Sequence, residues 1–206
     1  MATTTPNYGW TVPTSTDLVK DGATAIETLG DAIDASMNTA LGTKKAGMVL
    51  LNTTSFSAVA SQSFNNVFSA TYDNYLILFS GNLSTIASLE FRLRVGGVDN
   101  STANSYLRQF VRAENTVVSA GRVTSNIAKV GQGENNLRNS FELTIFNPFQ
   151  ATATPFTSVT NVSESSALIF DIYSSMHNVT SSFDGFTLIA SSGTMTGSVS
   201  VYGYNK

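Results

Sequence analysis

The chain has 206 residues, of which 42% are apolar and 12% charged, with a net charge of −3 and an isoelectric point near 5.0. This negative balance argues against non-specific binding to nucleic acid or to an anionic membrane surface, and no apolar run approaches the ~20 residues of a membrane-spanning helix. Because the sequence contains no cysteine, disulfides and thiolate metal sites are excluded.

Residues 1–15 predict an extended arm. Pro6 and Pro13 lack amide donors and favour extended neighbours, while Tyr8 and Trp10 alternate with smaller residues. An isolated arm has no reason to expose a tryptophan, so the arm either folds back on its own domain or inserts into a groove on a partner. These two prolines and two aromatic residues are the candidate anchoring residues. The segment has no apolar stretch typical of a secretory signal, which predicts synthesis in a cytoplasm.

Residues 16–41 predict one short amphipathic helix, followed by a linker at 42–46. Thr24 and Glu27 fit a capping box at the start of the helix. Apolar residues recur along one face at spacings of three and four, and the candidate oligomer interface consists of Ile26, Leu29, Ile33 and Met37. Because a stripe of about two heptads is marginal alone, it must be buried, either on the β domain of the same chain or against copies of itself.

From residue 47 onward the apolar period switches to two, which is typical of strands. In the segment 89–95 the inward set is Leu89, Phe91, Leu93 and Val95, and the outward set is Glu90, Arg92 and Arg94. Residues 74–81 form an apolar run that could be buried on both faces, and two strands are expected to meet near Glu114 and Asn115. Eight or nine short strands, separated by turn residues and without a helix between them, predict an antiparallel β-sandwich or jelly roll over residues 47–206. The predicted fold class is therefore mainly β, with a C-terminal jelly roll preceded by the extended arm and the short helix.

Four stretches of the β domain share an order and spacing with a known class of protein. They are FSATYDNYLILFSG (68–81), LEFRLRVGGVDNSTANSYLRQ (89–109), FELTIFNPF (141–149) and SSGTMTGSVSVYGYNK (191–206). Together with the Pro-aromatic arm, they resemble the small virion appendage proteins of tailed bacteriophages, such as short tail, neck or head fibres with a C-terminal jelly roll. The resemblance implies a virion location after synthesis in the host cytoplasm, and a homotrimer whose N-terminal parts contact other virion proteins while the jelly roll faces outward.

The number of copies stays open at this stage. Isoleucine at the a positions with leucine at d favours two strands in a parallel coiled coil, whereas the resemblance implies three. Two heptads beside a much larger β domain are too short to decide between them.

Neither a catalytic nor a cofactor site is predicted. His177, the single histidine, lies in a Ser/Thr/Asn-rich connection and is expected at the surface, and one histidine without cysteine makes no zinc site of the usual composition within one chain. The 14 acidic residues show no pair suited to glycoside hydrolysis. The basic residues between Arg92 and Arg138 are interpreted as solvated strand faces without an aromatic platform.

Recognition by the outer domain is assigned to loops, because loops at the ends of a sandwich carry binding more often than strands do. The candidate loops are 99–105, 131–136 and 176–182. The candidate recognition residues within them are Asp99, Asn100, Asn104, Gln132, Asn135, His177 and Asn178.

Four functional hypotheses follow. The first is a virion fibre that attaches to a host-surface glycan or protein, and the second is a capsid decoration or neck protein without a receptor. The third is a stand-alone carbohydrate-binding module. The fourth, an enzyme such as a polysaccharide depolymerase, is the least supported because no catalytic constellation is apparent.

Overall fold

The computed structural model describes residues 3–16, 18–41, 47–133, 137–163 and 168–205. These residues divide into two compact units, one before residue 47 and one from residue 47 onward. The predicted linker at 42–46 lies outside the described residues.

The N-terminal unit combines a small hairpin with one helix. Strand β1 (Thr3–Thr4) pairs antiparallel with β2 (Thr11–Val12), so the arm is not extended throughout as predicted. A 3-10 turn (Val19–Asp21) leads directly into α1 (Gly22–Leu41). The capping-box prediction is wrong because this turn starts the helix earlier, which leaves the Thr24 carbonyl inside α1 to accept a hydrogen bond from the Thr28 hydroxyl.

The C-terminal unit contains thirteen strands among its described residues. They are β3 (Met48–Val59), β4 (Ser61–Phe64), β5 (Asn74–Leu83), β6 (Ala87–Val95), β7 (Val98–Asp99), β8 (Tyr106–Glu114), β9 (Val117–Ser125), β10 (Ala128–Gly133), β11 (Asn139–Phe146), β12 (Thr152–Ser163), β13 (Leu168–Ser181), β14 (Gly185–Ala190) and β15 (Met195–Tyr204). All the pairings between them are antiparallel.

Eight of these strands form a jelly roll, which confirms the predicted fold class. One sheet has the order β3-β15-β5-β11 and the other has the order β10-β6-β14-β4. The chain repeatedly crosses between the two sheets, and its first and last strands, β3 and β15, are neighbours in the first sheet. This connectivity gives the eight-stranded, double-sheet arrangement of jelly rolls.

Two hairpins are inserted into this framework. Strands β8 and β9 are inserted between β6 and β10, and strands β12 and β13 between β11 and β14. Both pairs extend the first sheet beyond β11, in the order β12-β13-β8-β9. The expected pair of strands near Glu114 and Asn115 is confirmed, with Asn115 at φ 53° in the tight turn. The predicted total of eight or nine strands is too low, since the sequence pattern indicated no strand at the position of β12 (Thr152–Ser163).

The core lies between the two sheets. Leu89, Phe91 and Leu93 are buried as the period of two predicted, and the Phe91 ring lies 5.3–5.5 Å from the rings of Phe156 and Phe186. Burial of aromatic rings from both sheets is the main force that holds them together.

The predicted alternation fails at the end of β6. Arg94 is buried and Val95 is 48% exposed, the reverse of the expectation. The reason is polar: the Arg94 guanidinium donates to the Thr187 hydroxyl (2.8 Å) and lies 3.5 Å from the Asp99 carboxylate. A buried charge with these partners is tolerated where an unpaired one would not be.

Burial on both faces of residues 74–81 is only partly found. Tyr75, Ile77 and Phe79 face the core and Leu76 is buried on the opposite face, but Leu78 remains 36% exposed. The outer face of β5 is therefore not covered along its whole length.

Candidate functional site

The predicted oligomer interface lies along α1 in the N-terminal unit. Ile26 and Met37 are 65% and 52% exposed, while Leu29 and Ile33 are half-buried. No residue of the described part of this unit is fully buried. The described residues of this unit therefore form no closed hydrophobic core among themselves.

The candidate anchoring residues partly fold back on the helix. The Trp10 indole Nε1 donates to the Ser36 hydroxyl of α1 (2.8 Å), and the Tyr8 ring stacks on the Trp10 ring with centroids 5.1 Å apart. Tyr8 itself is 69% exposed, Pro6 is exposed and Pro13 is half-buried. The tryptophan thus has a hydrogen-bond partner within its own unit, and Pro6 and the Tyr8 ring are the candidate anchoring residues that remain exposed.

Several predicted recognition residues are held by internal hydrogen bonds at one end of the sandwich. Asp99, at the end of β7, accepts a hydrogen bond from the Thr187 hydroxyl (2.6 Å). The Asn100 side-chain oxygen lies 3.2 Å from His177 Nε2, and its carbonyl accepts a hydrogen bond from the Tyr106 hydroxyl (3.0 Å). These bonds fix the connection between β7 and β8 and leave few free polar groups on these side chains.

Among the predicted recognition residues at this corner, Asn104 and Asn178 are exposed. Asn104 has φ 58° in the turn before β8, and its carbonyl accepts a hydrogen bond from the Asn178 side-chain amide (3.4 Å). Asn178 lies on strand β13 rather than in a loop, because β13 is 14 residues long and extends past the predicted loop start.

Two further loop assignments are corrected by the structure. Gln132 lies on strand β10, where its side-chain oxygen accepts hydrogen bonds from Lys129 and Arg112. His177 lies on strand β13 and is fully buried. Their Gly- and Ser-rich surroundings suggested loops, but cross-strand pairing overrides that local preference. Asn135 lies outside the described residues.

The His177 ring is enclosed by aromatic side chains. Its centroid lies 4.4 Å from that of Tyr106 and 5.1 Å from that of Phe183, and its Nδ1 atom is buried without a hydrogen-bond partner among the described residues. Burial is the main cause that lowers the pKa of His177 to about 4. The ring is therefore neutral at pH 7 and serves the core rather than a surface site.

We expect His177 to make the fold less stable in mild acid. Between the ordinary pKa of 6.5 and the folded-state value of about 4, the unfolded chain binds a proton that the folded chain does not. The free energy of unfolding therefore falls as the pH falls through this window, by up to about 2–3 kcal/mol from this residue. Urea unfolding of the wild type and of His177→Gln at pH 7, 6, 5 and 4 measures this pH dependence of the free energy of unfolding. A stability difference between the two proteins that does not change with pH would contradict the expectation.

The structure also brings together a cluster of charged and aromatic side chains that the sequence did not indicate. Its residues come from β8, β9, β10 and β13 and line a cavity of about 270 Å³, here named the cationic cleft. The lining residues are Arg108, Phe110, Arg112, Ser119, Lys129 and Tyr173. Arg108, Phe110 and Arg112 share one face of β8 because they are two residues apart, and Tyr173 lies directly opposite Phe110 on β13.

A buried ion pair forms one wall of the cationic cleft. Arg112 Nε and Nη2 each donate to the Asp171 carboxylate at 2.8 Å, and the Tyr173 hydroxyl donates to the same carboxylate at 2.6 Å. Burial alone would raise the pKa of Asp171, but the bonds from Arg112 and Tyr173 outweigh it and hold this pKa below its ordinary value. The carboxylate is fully buried and remains charged.

The other two cations of the cationic cleft are held differently. Arg108 lies over two rings, with its guanidinium carbon 5.4 Å from the centroid of Phe110 and 5.5 Å from that of Tyr173, a cation–π geometry. The Lys129 ammonium donates to Gln132 (2.7 Å), and burial, with Arg112 nearby, lowers the pKa of Lys129 to about 8.

The interpretation of these basic residues as solvated strand faces is therefore wrong for Arg108, Arg112 and Lys129. An aromatic platform is present. It is formed by Phe110 of β8, within the basic stretch, and by Tyr173 of β13, which is more than 60 residues further along the chain. The repeat of Arg, Phe and Arg at every second position of β8 was a signal that could have indicated a shared face. The pairing of β8 with β13 could not be predicted from the sequence.

No group of three or more metal-ligating side chains is found in the part of the chain that the structure describes. Among those residues, no helix is long and apolar enough to cross a membrane.

Comparisons with known proteins give only distant similarities. No protein-family model and no curated protein matches the chain. Among solved structures, it is similar to a variant fructofuranosidase from Schwanniomyces occidentalis complexed with fructosylnystose, at 7% identity over 79% of this chain and 35% of that one, with a TM-score of 0.25. It is also similar to a β-glucanase from Bacillus licheniformis, at 13% identity over 70% of this chain and 68% of that one, with a TM-score of 0.16. The chain thus spans about a third of the fructofuranosidase, and at these TM-scores neither similarity bears on its activity.

Proposed function

We propose that the chain is a structural component of a bacteriophage virion, namely a trimeric short fibre or knob. In this proposal the N-terminal arm anchors it to the particle and the jelly roll faces outward for attachment to the host surface. The observation that carries the proposal is the apolar stripe of α1, where Ile26 and Met37 remain more than half exposed. Burial of apolar surface stabilises by roughly 25 cal/mol per Å², so association of copies would stabilise this helix.

A second apolar surface supports assembly with other protein subunits. On the outer face of the larger sheet, Val111, Ile172 and Val159 are direct cross-strand neighbours on β8, β13 and β12. They are 48%, 42% and 37% exposed. A contiguous exposed apolar row on a sheet is typical of an interaction surface, and the proposed partners are other copies of the chain and other virion proteins of the tail, neck or capsid.

The resemblance to virion appendage proteins also supports the proposal. The stretch 68–81 leads into β5, and the stretch 89–109 spans β6, β7 and the start of β8. The stretch 141–149 ends β11, and the stretch 191–206 contains β15. The likeness therefore follows framework strands, whereas the second inserted hairpin lies outside it.

Deletion of residues 1–15 tests the anchoring role. We expect the shortened protein to remain a soluble oligomer, because α1 and the sandwich are retained, but to be missing from purified particles. Incorporation is measured by quantitative mass spectrometry of particles from a complementation strain. Normal incorporation of the shortened protein would contradict the anchoring role, and absence of the full-length chain from particles would contradict the whole proposal.

The double variant Ile26→Asp/Ile33→Asp tests self-assembly through α1. Carboxylates placed in a desolvated seam cost several kcal/mol per unpaired ion, so we expect the trimer to separate into monomers while the sandwich keeps its strand signal. Light scattering at micromolar concentration and circular dichroism measure the two effects.

Ala35→Asp is the matched control for this experiment. At 100° per residue, position 35 lies on the helix face opposite the stripe, and it is exposed. The control should therefore keep the mass of the wild type. A wild type that is itself monomeric, or a double variant with unchanged mass, would contradict assembly through α1.

A further inference from the structure

The cationic cleft has more positive charge than its own carboxylates neutralise. Within the described residues, Arg112 is paired with Asp171, but neither Arg108 nor Lys129 has a carboxylate within ion-pair distance. The Arg108 Nε atom is buried without a hydrogen-bond partner there. Arg108 lines the cleft, and hydrogen bonds between a charged donor and an anionic acceptor are stronger than neutral ones, so an anion that enters the cleft beside Arg108 would be stabilised.

The neighbouring carboxylates do not fill this role. Glu114 lies 3.9 Å from the Arg112 guanidinium and is not part of the cavity wall. Glu90 pairs with Lys129 in the register of β10 and β6, but within the described residues its carboxylate forms no ion pair with Lys129 or Arg108. An external anion therefore meets Arg108 and Lys129 as its available cations.

The lining of the cleft indicates more than a bare anion. Two aromatic rings, Phe110 and Tyr173, and the hydroxyl-bearing Ser119 line the same cavity. Aromatic rings pack against the apolar C–H face of a sugar, and a side-chain hydroxyl forms hydrogen bonds with the sugar hydroxyl groups. The planar guanidinium of an arginine binds a carboxylate through two parallel hydrogen bonds. The volume of about 270 Å³ leaves room for a ring in addition to the charged group.

We infer that the cationic cleft binds a carboxylate-bearing sugar residue of a host-surface glycan, with Arg108 and Lys129 as its anion ligands. This inference rests on the proposed attachment function and names the class of its receptor. The assigned site lies on the inserted hairpins and β10, not in the loops at the end of the sandwich.

Binding of acidic and neutral oligosaccharides to the full-length oligomer tests the inference. The probes are oligosaccharides that contain glucuronic acid, galacturonic acid or sialic acid, each with its methyl ester as the uncharged match. We expect at least one acidic probe to bind and its ester to bind about tenfold more weakly or not at all, since hydrogen bonds to a charged group contribute about 1.5–3 kcal/mol. Isothermal titration calorimetry measures the affinities.

Three variants locate the binding. Arg108→Gln and Lys129→Met should each weaken binding of the acidic probe by about tenfold, whereas Arg122→Gln, an exposed arginine on β9, should leave it unchanged. Unchanged melting temperatures show that the variants fold, and Lys129→Met keeps the test valid if Arg108→Gln does not fold. The inference would be overturned if none of the acidic probes binds, or if an acidic probe and its methyl ester bind with equal affinity. It would also be overturned if the cleft variants bind the acidic probe as tightly as the wild type does. Equal competition by inorganic phosphate would indicate an unspecific anion site and would also overturn it.

The pH dependence of binding gives a second readout. The charged groups around Lys129 are Arg108 and Arg112 on β8, Asp171 on β13 and Glu90 on β6. Because the pKa of Lys129 is lowered to about 8, affinity for the acidic probe should fall as the pH rises from 7 to 9. Lys129→Met should remove this dependence, and a wild-type affinity that stays constant over that range would contradict the role of the lysine.

Failure of this inference is distinguishable from failure of the proposed function. If the chain joins particles and the particles adsorb to cells equally well with the cleft variants, the cleft assignment is wrong and the virion role stands. If acidic sugars bind in the cleft but the chain is monomeric and absent from particles, the virion role is wrong and the cleft assignment stands.

Discussion

Asp171→Asn is expected to lower the free energy of unfolding by about 3–5 kcal/mol, the range for breaking one side of a buried ion pair. The Asp171 side chain is fully buried and accepts three hydrogen bonds, two from Arg112 and one from Tyr173. An amide retains the shape but removes the charge, so the Arg112 guanidinium loses its only carboxylate at hydrogen-bond distance among the described residues. Urea denaturation followed by circular dichroism measures the change.

Glu142→Gln is the control for this prediction. It makes the same chemical change on β11, but at an exposed position, where substitutions usually change stability by less than about 0.5 kcal/mol. The double variant Arg112→Met/Asp171→Leu should recover part of the loss, because a buried ion pair replaced as a whole by apolar residues is often nearly neutral. If Asp171→Asn costs no more than Glu142→Gln, the pair does not stabilise the inserted hairpins.

Phe91→Ala is expected to cost about 3–5 kcal/mol, the typical loss for a buried phenylalanine. Phe91 has no exposed surface and contacts Phe156 of one sheet and Phe186 of the other. Its removal opens a cavity between the two layers that the surrounding strands cannot close, since each is held by a partner on both sides. The same denaturation experiment measures the loss.

Val118→Ala serves as its comparison. Val118 is 72% exposed on β9, so shortening it removes little buried surface and should change the stability by less than about 0.5 kcal/mol. A Phe91→Ala protein as stable as Val118→Ala would show that the contact between the sheets does not depend on this ring.

The framework of the fold could be predicted because its strands alternate with a period of two. In β6, Leu89, Phe91 and Leu93 face inward as the sequence indicates, and the same pattern defines β11. The helix was predictable from its apolar spacing. Its start was not, because the 3-10 turn before Gly22 carries no distinct sequence signal.

The strand pairing of the inserted hairpins could not be predicted from the sequence. Strand β13 alternates strictly between buried and exposed positions, but its buried positions include polar residues such as Asp171, Ser175 and His177. A polar residue at an inward position resembles a loop residue until its partner is known. The partners of these residues on β8 are separated from them by 59 to 71 positions, so the cationic cleft depends on a strand pairing that no local pattern specifies.

The two inserted hairpins can vary in sequence without a change in the framework of the fold. Each leaves the jelly roll and returns to it without altering the order of the eight framework strands. Substitutions at the exposed positions of β8–β9 or β12–β13 can therefore change the surface of this part of the sheet, while inward residues such as Phe156 of β12 keep their contacts in the core. A fold of this kind can acquire a different binding surface through substitutions of the exposed residues on its inserted hairpins.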